Sequence, residues 1–335
     1  MKVLRLHGAG DLRFHDEAIP TPPPGHTLVQ VGAMGICGSD LHWFDEAGIG
    51  DARLARPLVL GHELAGWTPD GQLVAIDPAV PCGKCQFCLE GNPNFCPNHH
   101  FAGHGADDGG LREYMAWPDE CLFPLPDGFT AADGALLEPL GVALFSVDLS
   151  GIRPGDTVGV FGCGPIGLMI IQMARLAGAS TIFATDRLAH RVEAAKANGA
   201  DLAFLVEDGR GVDQINQALH GTLVDVVIEV AGDNAAIEAA VDVVKPGGKV
   251  TLVGIPSHDE TTVTASVVRR KGLALQWVRR MKHTYPRSIE LVRRGQIDVR
   301  AVVSHTFPFD QVEAAFRSAQ SREGLKVVVT MEQQK

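Results

Sequence analysis

Residues 157–178 read TVGVFGCGPIGLMIIQMARLAG, an apolar run followed by a glycine-rich turn and a segment of helical periodicity. TVGVF is typical of a buried strand, and Gly178 marks the end of the helix. The turn spells G-x-G-x-x-G, in which the glycines permit a tight turn, close approach of a pyrophosphate and helix–strand packing, while the helix N-terminus adds positive potential. An ordinary glycine-rich turn is the alternative, but the strand-to-helix context favours a dinucleotide site. Its predicted residues are Gly162, Gly164, Pro165, Ile166 and Gly167.

Further strand-like and helical segments alternate around this turn. TIFATD, RVEAAKANGA, VDVVIEVAG, AAIEAAVDVVK and GKVTLVGI follow in order, which is the pattern of a doubly wound parallel sheet. We therefore predict an α/β protein whose residues 147–275 form a Rossmann domain. Residues 1–146 are rich in Gly and Pro with short strand-like runs, which predicts a mainly β domain. Residues 276–335 contain one predicted helix and one strand, and we assign them back to that first domain.

The strand TIFATD ends in Asp186, at the distance from the glycine turn where a carboxylate accepts hydrogen bonds from both ribose hydroxyls. A carboxylate there repels a 2′-phosphate, so we expect NAD to be preferred over NADP. Arg187 and Arg191 follow it and soften that repulsion. The ends of later strands are expected to flank the nicotinamide half of the cofactor, at Val230, Gly232, Val253 and Ile255.

Composition limits the partners that this chain can have. Its 335 residues favour two domains. The net charge of −11 argues against nucleic acid and anionic membranes, which need a basic surface. No apolar run approaches the ~20 residues needed to span a bilayer, and the N-terminal residues lack the features of a secretory signal. We therefore expect a cytoplasmic protein that acts on small molecules.

Four of the seven cysteines, Cys82, Cys85, Cys88 and Cys96, are spaced C-x2-C-x2-C-x7-C. Four thiolates at such short spacings can close a tetrahedron around one Zn²⁺, which leaves no open position and indicates a structural site. Small buried residues or redox cysteines are the alternative, and their concentration in one Gly/Pro/Asn-rich loop disfavours it.

A second set of possible metal ligands is dispersed along the chain. Cys37 lies in GICGSDLH, His62 and Glu63 lie in GHELAG, and Glu138 lies in LLEPLG. Each is weak evidence alone, because a single Cys or His is more often packed than ligating and Glu138 could cap a helix.

The order of these motifs resembles that of the zinc-containing medium-chain dehydrogenases over essentially the whole chain. Within that family the chain is most similar to the polyol-oxidising branch, which shares the segments MGICGSDLH, FAGHGADDGGL, GALLEPL and RMKHTYP. In that branch the glutamate of EPL stands where classical alcohol dehydrogenases carry a third, cysteine ligand. The resemblance implies a GroES-like, mainly β catalytic domain made from both chain ends, a Rossmann domain, an active site in the cleft, and a homodimer or homotetramer.

The resemblance makes Cys37 and His62 direct ligands of a catalytic zinc, with Glu63 and Glu138 binding directly or through water. One thiolate, one imidazole and a carboxylate leave an exchangeable position, as catalysis requires. With the four-cysteine loop, the chain is expected to bind two zinc ions.

Ser39 and His42 follow Cys37 closely, and the resemblance gives them the roles of a proton relay from substrate to solvent. Both side chains suit proton transfer; a turn-forming serine and a surface histidine are the alternatives. The resemblance also places Arg280 at the substrate and Arg191 near the adenosine ribose. Met281 replaces the tyrosine usual in this branch.

Trp43 and Phe101 are predicted to line the pocket, with core packing as the alternative for either aromatic. The segment after GHE is abbreviated, which predicts a trimmed hairpin.

We therefore expect a zinc-dependent enzyme that oxidises a secondary hydroxyl, on a polyol or sugar alcohol, to a ketone with NAD⁺. An L-threonine 3-dehydrogenase or a simple secondary-alcohol dehydrogenase is the alternative within the family. A catalytically silent NAD-binding zinc protein is the alternative from another class, and the complete set of ligands disfavours it.

Overall fold

The computed structural model describes residues 1–206, 211–256 and 260–333. The chain divides into two compact units. The first comprises Met1–Pro139, Tyr285–Arg293 and Val303–Lys335, and the second comprises Leu140–Thr284 and Arg294–Val302. The second unit thus begins after Pro139, before the boundary at 146 expected from the sequence, and extends to Thr284, beyond the expected boundary at 275. Arg294–Val302 also belongs to the second unit.

The secondary structure of the described residues is as follows. The strands are β1 (Lys2–Gly8), β2 (Asp11–Asp16), β3 (His26–Gly35), β4 (Gly48–Ile49), β5 (Ala52–Arg53), β6 (Glu63–Trp67), β7 (Leu73–Ile76), β8 (Ala79–Val80), β9 (His100–Phe101), β10 (Tyr114–Pro118), β11 (Leu122–Pro124), β12 (Thr157–Phe161), β13 (Thr181–Asp186), β14 (Leu202–Leu205), β15 (Val224–Glu229), β16 (Val244–Leu252), β17 (Ala274–Trp277), β18 (Val303–Pro308) and β19 (Lys326–Thr330). The α-helices are α1 (Gly38–Glu46), α2 (Gln86–Leu89), α3 (Ala131–Ala135), α4 (Leu137–Ser150), α5 (Pro165–Leu176), α6 (Ala189–Ala197), α7 (Val212–Ala218), α8 (Asn234–Val243), α9 (Ala265–Lys271), α10 (Tyr285–Arg293) and α11 (Val312–Ser321). Short 3-10 helices cover Pro93–Phe95, Asp119–Cys121, Arg300–Val302 and Phe309–Gln311.

The first unit is built around a mixed sheet in the order β11-β7-β6-β3-β19-β18, with β10 also paired to β3. The long strand β3 pairs antiparallel with β6, β10 and β19. Its apolar side chains, with those of β1, β6 and β19, enter one hydrophobic core. The predicted hairpin after GHE is present as β6 and β7. This arrangement places a C-terminal strand directly beside β3.

The second unit contains a parallel sheet in the order β14-β13-β12-β15-β16-β17. The chain order reverses at β12, so the carboxyl ends of β12 and β15 meet at a switch point, where such sheets bind ligands. Helix α5 follows β12, and Gly178 beyond it takes a φ of 101°. The α/β fold predicted from the alternating segments is confirmed.

Several short elements were not expected from the sequence: β14, α7, α9, β17 and β18. The strands among them are four to six residues long, and each lies at the edge of its sheet. An edge strand is defined mainly by hydrogen bonds to its single neighbour, which local sequence does not encode.

In the described part of the chain, no helix combines the length and the hydropathy needed to cross a bilayer.

Candidate functional site

The four cysteines of the short-spaced loop converge in the first unit. Their sulfurs all lie within 4.8 Å of one another. The sulfurs of Cys85 and Cys88 are 3.4 Å apart, and the amide of Cys82 donates to the sulfur of Cys96 over 3.3 Å. This geometry fits one tetrahedral Zn²⁺ with sulfur ligands.

The backbone of the same loop favours the thiolate form. The amides of Lys84 and Cys85 donate to the sulfur of Cys82 and lower the pKa of its thiol to about 6. A lowered thiol pKa prepares a cysteine to bind a cation, because the thiolate is the ligand.

A second group brings together residues that are distant in sequence. Cys37, His62 and Glu63 each offer one possible ligand atom, and these three atoms lie within 4.8 Å of one another. Cys37 precedes α1, Glu63 begins β6, and His62 stands immediately before it. His62 and Glu63 are buried. Thiolate, imidazole and carboxylate are the donors that Zn²⁺ binds at catalytic sites, so these residues fit the metal that the sequence predicts.

Asp40 orients this group, and sequence reasoning gave it no role. One carboxylate oxygen accepts from the amide of Cys37 over 2.9 Å, and the other lies 3.5 Å from Nδ1 of His62. Burial by itself would raise the pKa of Asp40, but His62 and the Cys37 amide lower it overall. An ionised Asp40 holds the proton of His62 on Nδ1 and leaves Nε2 as the donor atom. Its spacing from Cys37, as an acidic residue in the first turn of a helix, was the available signal.

Lys326 is the second residue that sequence reasoning missed. Its Nζ lies 2.5 Å from the carboxylate oxygens of Glu63 and 2.9 Å from the carbonyl oxygen of Ile36. Strands β6 and β19 both flank β3, where Gly35 pairs with Glu63 and with Val328. A Cβ on Gly35 would lie 2.0 Å from a Glu63 oxygen, so a glycine is needed there. A charged residue at the start of the apolar segment KVVVT was the only sequence signal.

Glu138 is buried in the first turn of α4. Burial raises the pKa of its carboxyl to about 7, and His62, Glu63 and Lys326 act on it electrostatically. It does not belong to the group of three whose ligand atoms lie within 4.8 Å. Among the described residues, no backbone amide hydrogen-bonds to its side chain, which does not favour a helix-capping role.

The predicted relay residues both lie on α1. Ser39 Oγ is 3.5 Å from Nε2 of His62. His42 lies one turn further along, 28% exposed, with Nδ1 3.7 Å from Glu46. Ser39 therefore borders the ligand group, and His42 reaches solvent.

The two predicted pocket aromatics differ in their surroundings. The ring of Phe101 packs against His62 at a centroid distance of 5.4 Å. Trp43 is only 1% exposed, lies within the core and contacts the ring of His104 edge-on. Its burial supports the core-packing alternative.

The second unit places the G-x-G-x-x-G turn between β12 and α5. A Cβ on Gly162 would meet the Ala231 backbone at 2.7 Å, and one on Gly167 would meet the carbonyl of Gly162 at 2.0 Å. At Gly164, the N-cap of α5, the nearest atom to such a Cβ is an Arg191 nitrogen at 3.7 Å. Pro165 and Ile166 begin the helix. The open face at Gly164 and a helix N-terminus with no side-chain cap fit a pyrophosphate.

Asp186 lies beside this turn at the end of β13. Its carboxylate accepts from the amide of Cys163 over 2.8 Å and from that of Leu188 over 2.9 Å. Two backbone donors fix its position and leave lone pairs for other donors. Arg187 is paired with Asp233, with Nη2 and Oδ2 3.1 Å apart.

The segments that follow β15 and β16 are in close contact. Glu229 accepts from the amide of Gly232 over 2.8 Å, and a Cβ on Gly254 would lie 2.1 Å from the Gly232 nitrogen. The predicted residues Val230, Gly232, Val253 and Ile255 follow these two strands directly.

Arg280 also lies in the second unit, with a φ of 57°. Met281 beside it accepts from the hydroxyl of Thr284 over 3.2 Å and fills the space next to Gly141.

Comparison with known proteins agrees with this arrangement. Residues 23–127 match the alcohol dehydrogenase GroES-like domain, and residues 165–294 match the zinc-binding dehydrogenase family. Sorbitol dehydrogenase of Bacillus subtilis (strain 168) is 33% identical over 98% of this chain and 97% of its own length.

Solved structures agree in fold and contain different cofactors. A short chain alcohol dehydrogenase from Escherichia coli CFT073, complexed with NADH, superposes with a TM-score of 0.90 at 28% identity, covering 98% of this chain and 99% of its own. A protein from Sinorhizobium meliloti 1021 described as a zinc-binding dehydrogenase, bound to NADP, gives 0.89 at 31% identity and 98% coverage of both chains. The GroES-like and Rossmann domains expected from the sequence are therefore confirmed. The chain belongs to the zinc-containing medium-chain alcohol dehydrogenase family and is a zinc-dependent oxidoreductase that acts on alcohols with a nicotinamide cofactor.

Proposed function

We propose that this enzyme oxidises a secondary hydroxyl of a polyol or sugar alcohol to a ketone, with NAD⁺ as the acceptor. The observation that carries the proposal is the convergence of Cys37, His62 and Glu63, with donor atoms within 4.8 Å. Similarity to sorbitol dehydrogenases over nearly the whole chain supports the polyol class. A glutamate, Glu138, in place of the third cysteine ligand of classical alcohol dehydrogenases supports the same branch.

Cys37 and His62 would hold the catalytic zinc, with Glu63 and Glu138 as the carboxylates of the site. When bound, zinc acts as a Lewis acid that polarises the substrate hydroxyl and eases the loss of its proton. The four clustered cysteines, Cys82, Cys85, Cys88 and Cys96, would hold a second, structural zinc. We therefore propose two zinc ions per chain.

The side chains around this site handle the proton and the substrate. Asp40 keeps the His62 ring in one orientation through Nδ1. Ser39, whose hydroxyl both donates and accepts, takes up the substrate proton, and the partly exposed His42 transfers it to water. The ring of Phe101 beside His62 limits the access of water. Arg280 is proposed to contact the substrate.

The glycine turn and Asp186 support NAD as the cofactor, which supplies the hydride acceptor. The carboxylate of Asp186 is suited to accept from two ribose hydroxyls and repels a 2′-phosphate. Arg191 beside Gly164, and the strand ends at Val230 to Gly232 and Val253 to Ile255, complete the proposed site.

A substrate panel tests the proposal. Sorbitol, xylitol, inositols, L-threonine and short secondary alcohols are each supplied with NAD⁺ to the zinc-loaded enzyme, and NADH is followed by its absorbance. We expect the highest kcat/KM for a polyol. Preference for threonine or a simple alcohol would replace the proposed substrate class, and no turnover of any alcohol by zinc-loaded protein would favour a silent NAD-binding protein.

We also propose that the chain forms a homodimer or homotetramer. Trp277 is more than half exposed, and a large apolar side chain on a surface is typical of a contact site. Size-exclusion chromatography with light scattering measures the assembly.

All seven cysteines lie in the described residues, and none forms a disulfide, as expected for a cytoplasmic protein.

A further inference from the structure

An ion pair crosses the end of the central strand of the second unit. Arg187 follows β13 and Asp233 lies four residues beyond the last strand residue of β15, Glu229, while β12 lies between those two strands. Their Nη2 and Oδ2 atoms are 3.1 Å apart. The pair therefore spans the carboxyl end of β12, where the glycine turn begins.

Asp233 is the fixed partner of this pair. Its Oδ1 accepts from the amide of Ala235 over 2.8 Å as the N-cap of the ten-residue helix α8. The cap hydrogen bond restricts the carboxylate to one orientation, so its other oxygen faces Arg187. Arg187 is thereby held on the β15 side of the glycine turn.

We propose that Asp233 is a specificity-determining residue, which excludes NADP by holding and neutralising Arg187. Asp186 and Asp233 each carry a formal charge of −1, and Arg187 and Arg191 each carry +1, with Arg191 beside Gly164. Asp233 therefore cancels one of the two arginine charges that could attract a phosphate at this edge. A 2′-phosphate carries a charge of about −1.5 to −2 and pairs best with a guanidinium that is free to bind it with two nitrogens. Arg187 directly follows Asp186, the proposed ribose-binding carboxylate. Its guanidinium is already paired with Asp233. This inference rests on the proposed preference for NAD.

The Asp233→Asn variant tests the proposal, because asparagine keeps the helix cap and removes the charge. Dissociation constants for NADH and NADPH are measured by fluorescence titration of the zinc-loaded enzyme without substrate. We expect the dissociation constant for NADPH to fall about tenfold, because the released Arg187 can form one charge-assisted contact with the 2′-phosphate. The dissociation constant for NADH should change less than about twofold.

Three further variants isolate the mechanism. Asp233→Asn combined with Arg187→Gln should lose the gain in NADPH affinity, because the freed guanidinium is absent. Glu313→Gln removes an equal charge from the exposed face of α11 in the first unit and should leave both constants unchanged. Asp186→Ser reports separately on the ribose contact and should weaken NADH binding.

The outcomes separate this inference from the proposed function. If the unmodified enzyme prefers NADH but Asp233→Asn leaves NADPH affinity unchanged, the role of Asp233 is wrong and the cofactor preference stands. An equal gain in the variant that also lacks Arg187 overturns the role in the same way. If the unmodified enzyme binds both cofactors equally, the preference for NAD is wrong. The role of Asp233 then holds only if Asp233→Asn gains affinity for NADPH and the variant that also lacks Arg187 does not.

Discussion

Lys326 Nζ and the carboxylate of Glu63 are 2.5 Å apart, and the two residues are 3% and 1% exposed. A buried charge is tolerated when it is paired and hydrogen-bonded, and its loss leaves the partner uncompensated. The pair joins a strand near the C-terminus to the strand that begins at the proposed zinc site.

We expect Lys326→Met to lower the free energy of unfolding, measured on the protein without zinc, by about 3–5 kcal/mol, because Glu63 is then left as an unpaired buried charge. A double variant, Lys326→Met with Glu63→Gln, should recover most of the lost free energy of unfolding. Thermal and denaturant unfolding measure both values. A cost below about 1 kcal/mol for the single variant would show that the pair behaves like an exposed one.

Glu138→Gln separates a metal-site role from a helix cap. We expect the variant to fold and bind NADH, while its zinc affinity or kcat/KM falls by about 10–100-fold, as for other groups that support a metal site. Its melting temperature in excess zinc should be almost unchanged. Zinc content by mass spectrometry and steady-state kinetics measure the effect.

Thr130→Ala is the matched control for Glu138, since Thr130 accepts from the amide of Asp133 as the N-cap of α3. It should cost about 0.5–2 kcal/mol of stability and leave the zinc content intact. The same pattern in Glu138→Gln, with normal turnover, would assign Glu138 a structural role only.

The two proposed zinc sites should respond differently to removal of their ligands. Cys88→Ser opens the four-sulfur group, and we expect about one zinc per chain instead of two, with a lower melting temperature, because a closed site stabilises its loop. Brief chelation of the unmodified enzyme should abolish activity before it unfolds this loop.

Cys121→Ser is the control for the loss of a thiol, because Cys121 is buried outside both metal groups. It should retain two zinc ions. Unchanged zinc content and stability in Cys88→Ser would contradict a structural metal in the four-cysteine loop.

Glu229 predicts a pH dependence of stability in the second unit. Burial raises the pKa of its carboxyl from 4.5 to about 7. Between these values the folded state binds more protons than the unfolded state, so stability falls as the pH rises through this range. From pH 4.5 to 7.5 the unmodified protein should lose about 2–3 kcal/mol relative to Glu229→Gln, which stays neutral.

Calorimetry at several pH values measures this difference. Glu193→Gln, on the exposed side of α6, should reproduce the pH dependence of the unmodified protein. Parallel curves for Glu229→Gln and the unmodified protein would mean that Glu229 is ionised throughout.

The alternation of apolar segments and the glycine turn were sufficient to predict the parallel sheet, because buried strands and amphipathic helices are local patterns. The short edge elements β14, β17 and β18 were missed, since their conformation depends on hydrogen bonds to one neighbouring strand.

Local sequence patterns are sufficient to predict the chemical types of the possible metal ligands and the glycine turn that a dinucleotide requires. The cysteines from Cys82 to Cys96 are close in the chain, so their spacing alone predicts that their sulfurs meet. The glycine turn is likewise local.

Which distant side chains meet follows from the order of the strands in the folded chain. Cys37, His62 and Glu63 converge because the residues around them belong to adjoining elements around β3, and Lys326 joins them across 263 residues because β19 is also a neighbour of β3. The pairing of Arg187 with Asp233 depends in the same way on β13 and β15 flanking β12. Strand order is a property of the whole sheet, determined by the burial of all its faces together, so no single segment of the sequence specifies these contacts.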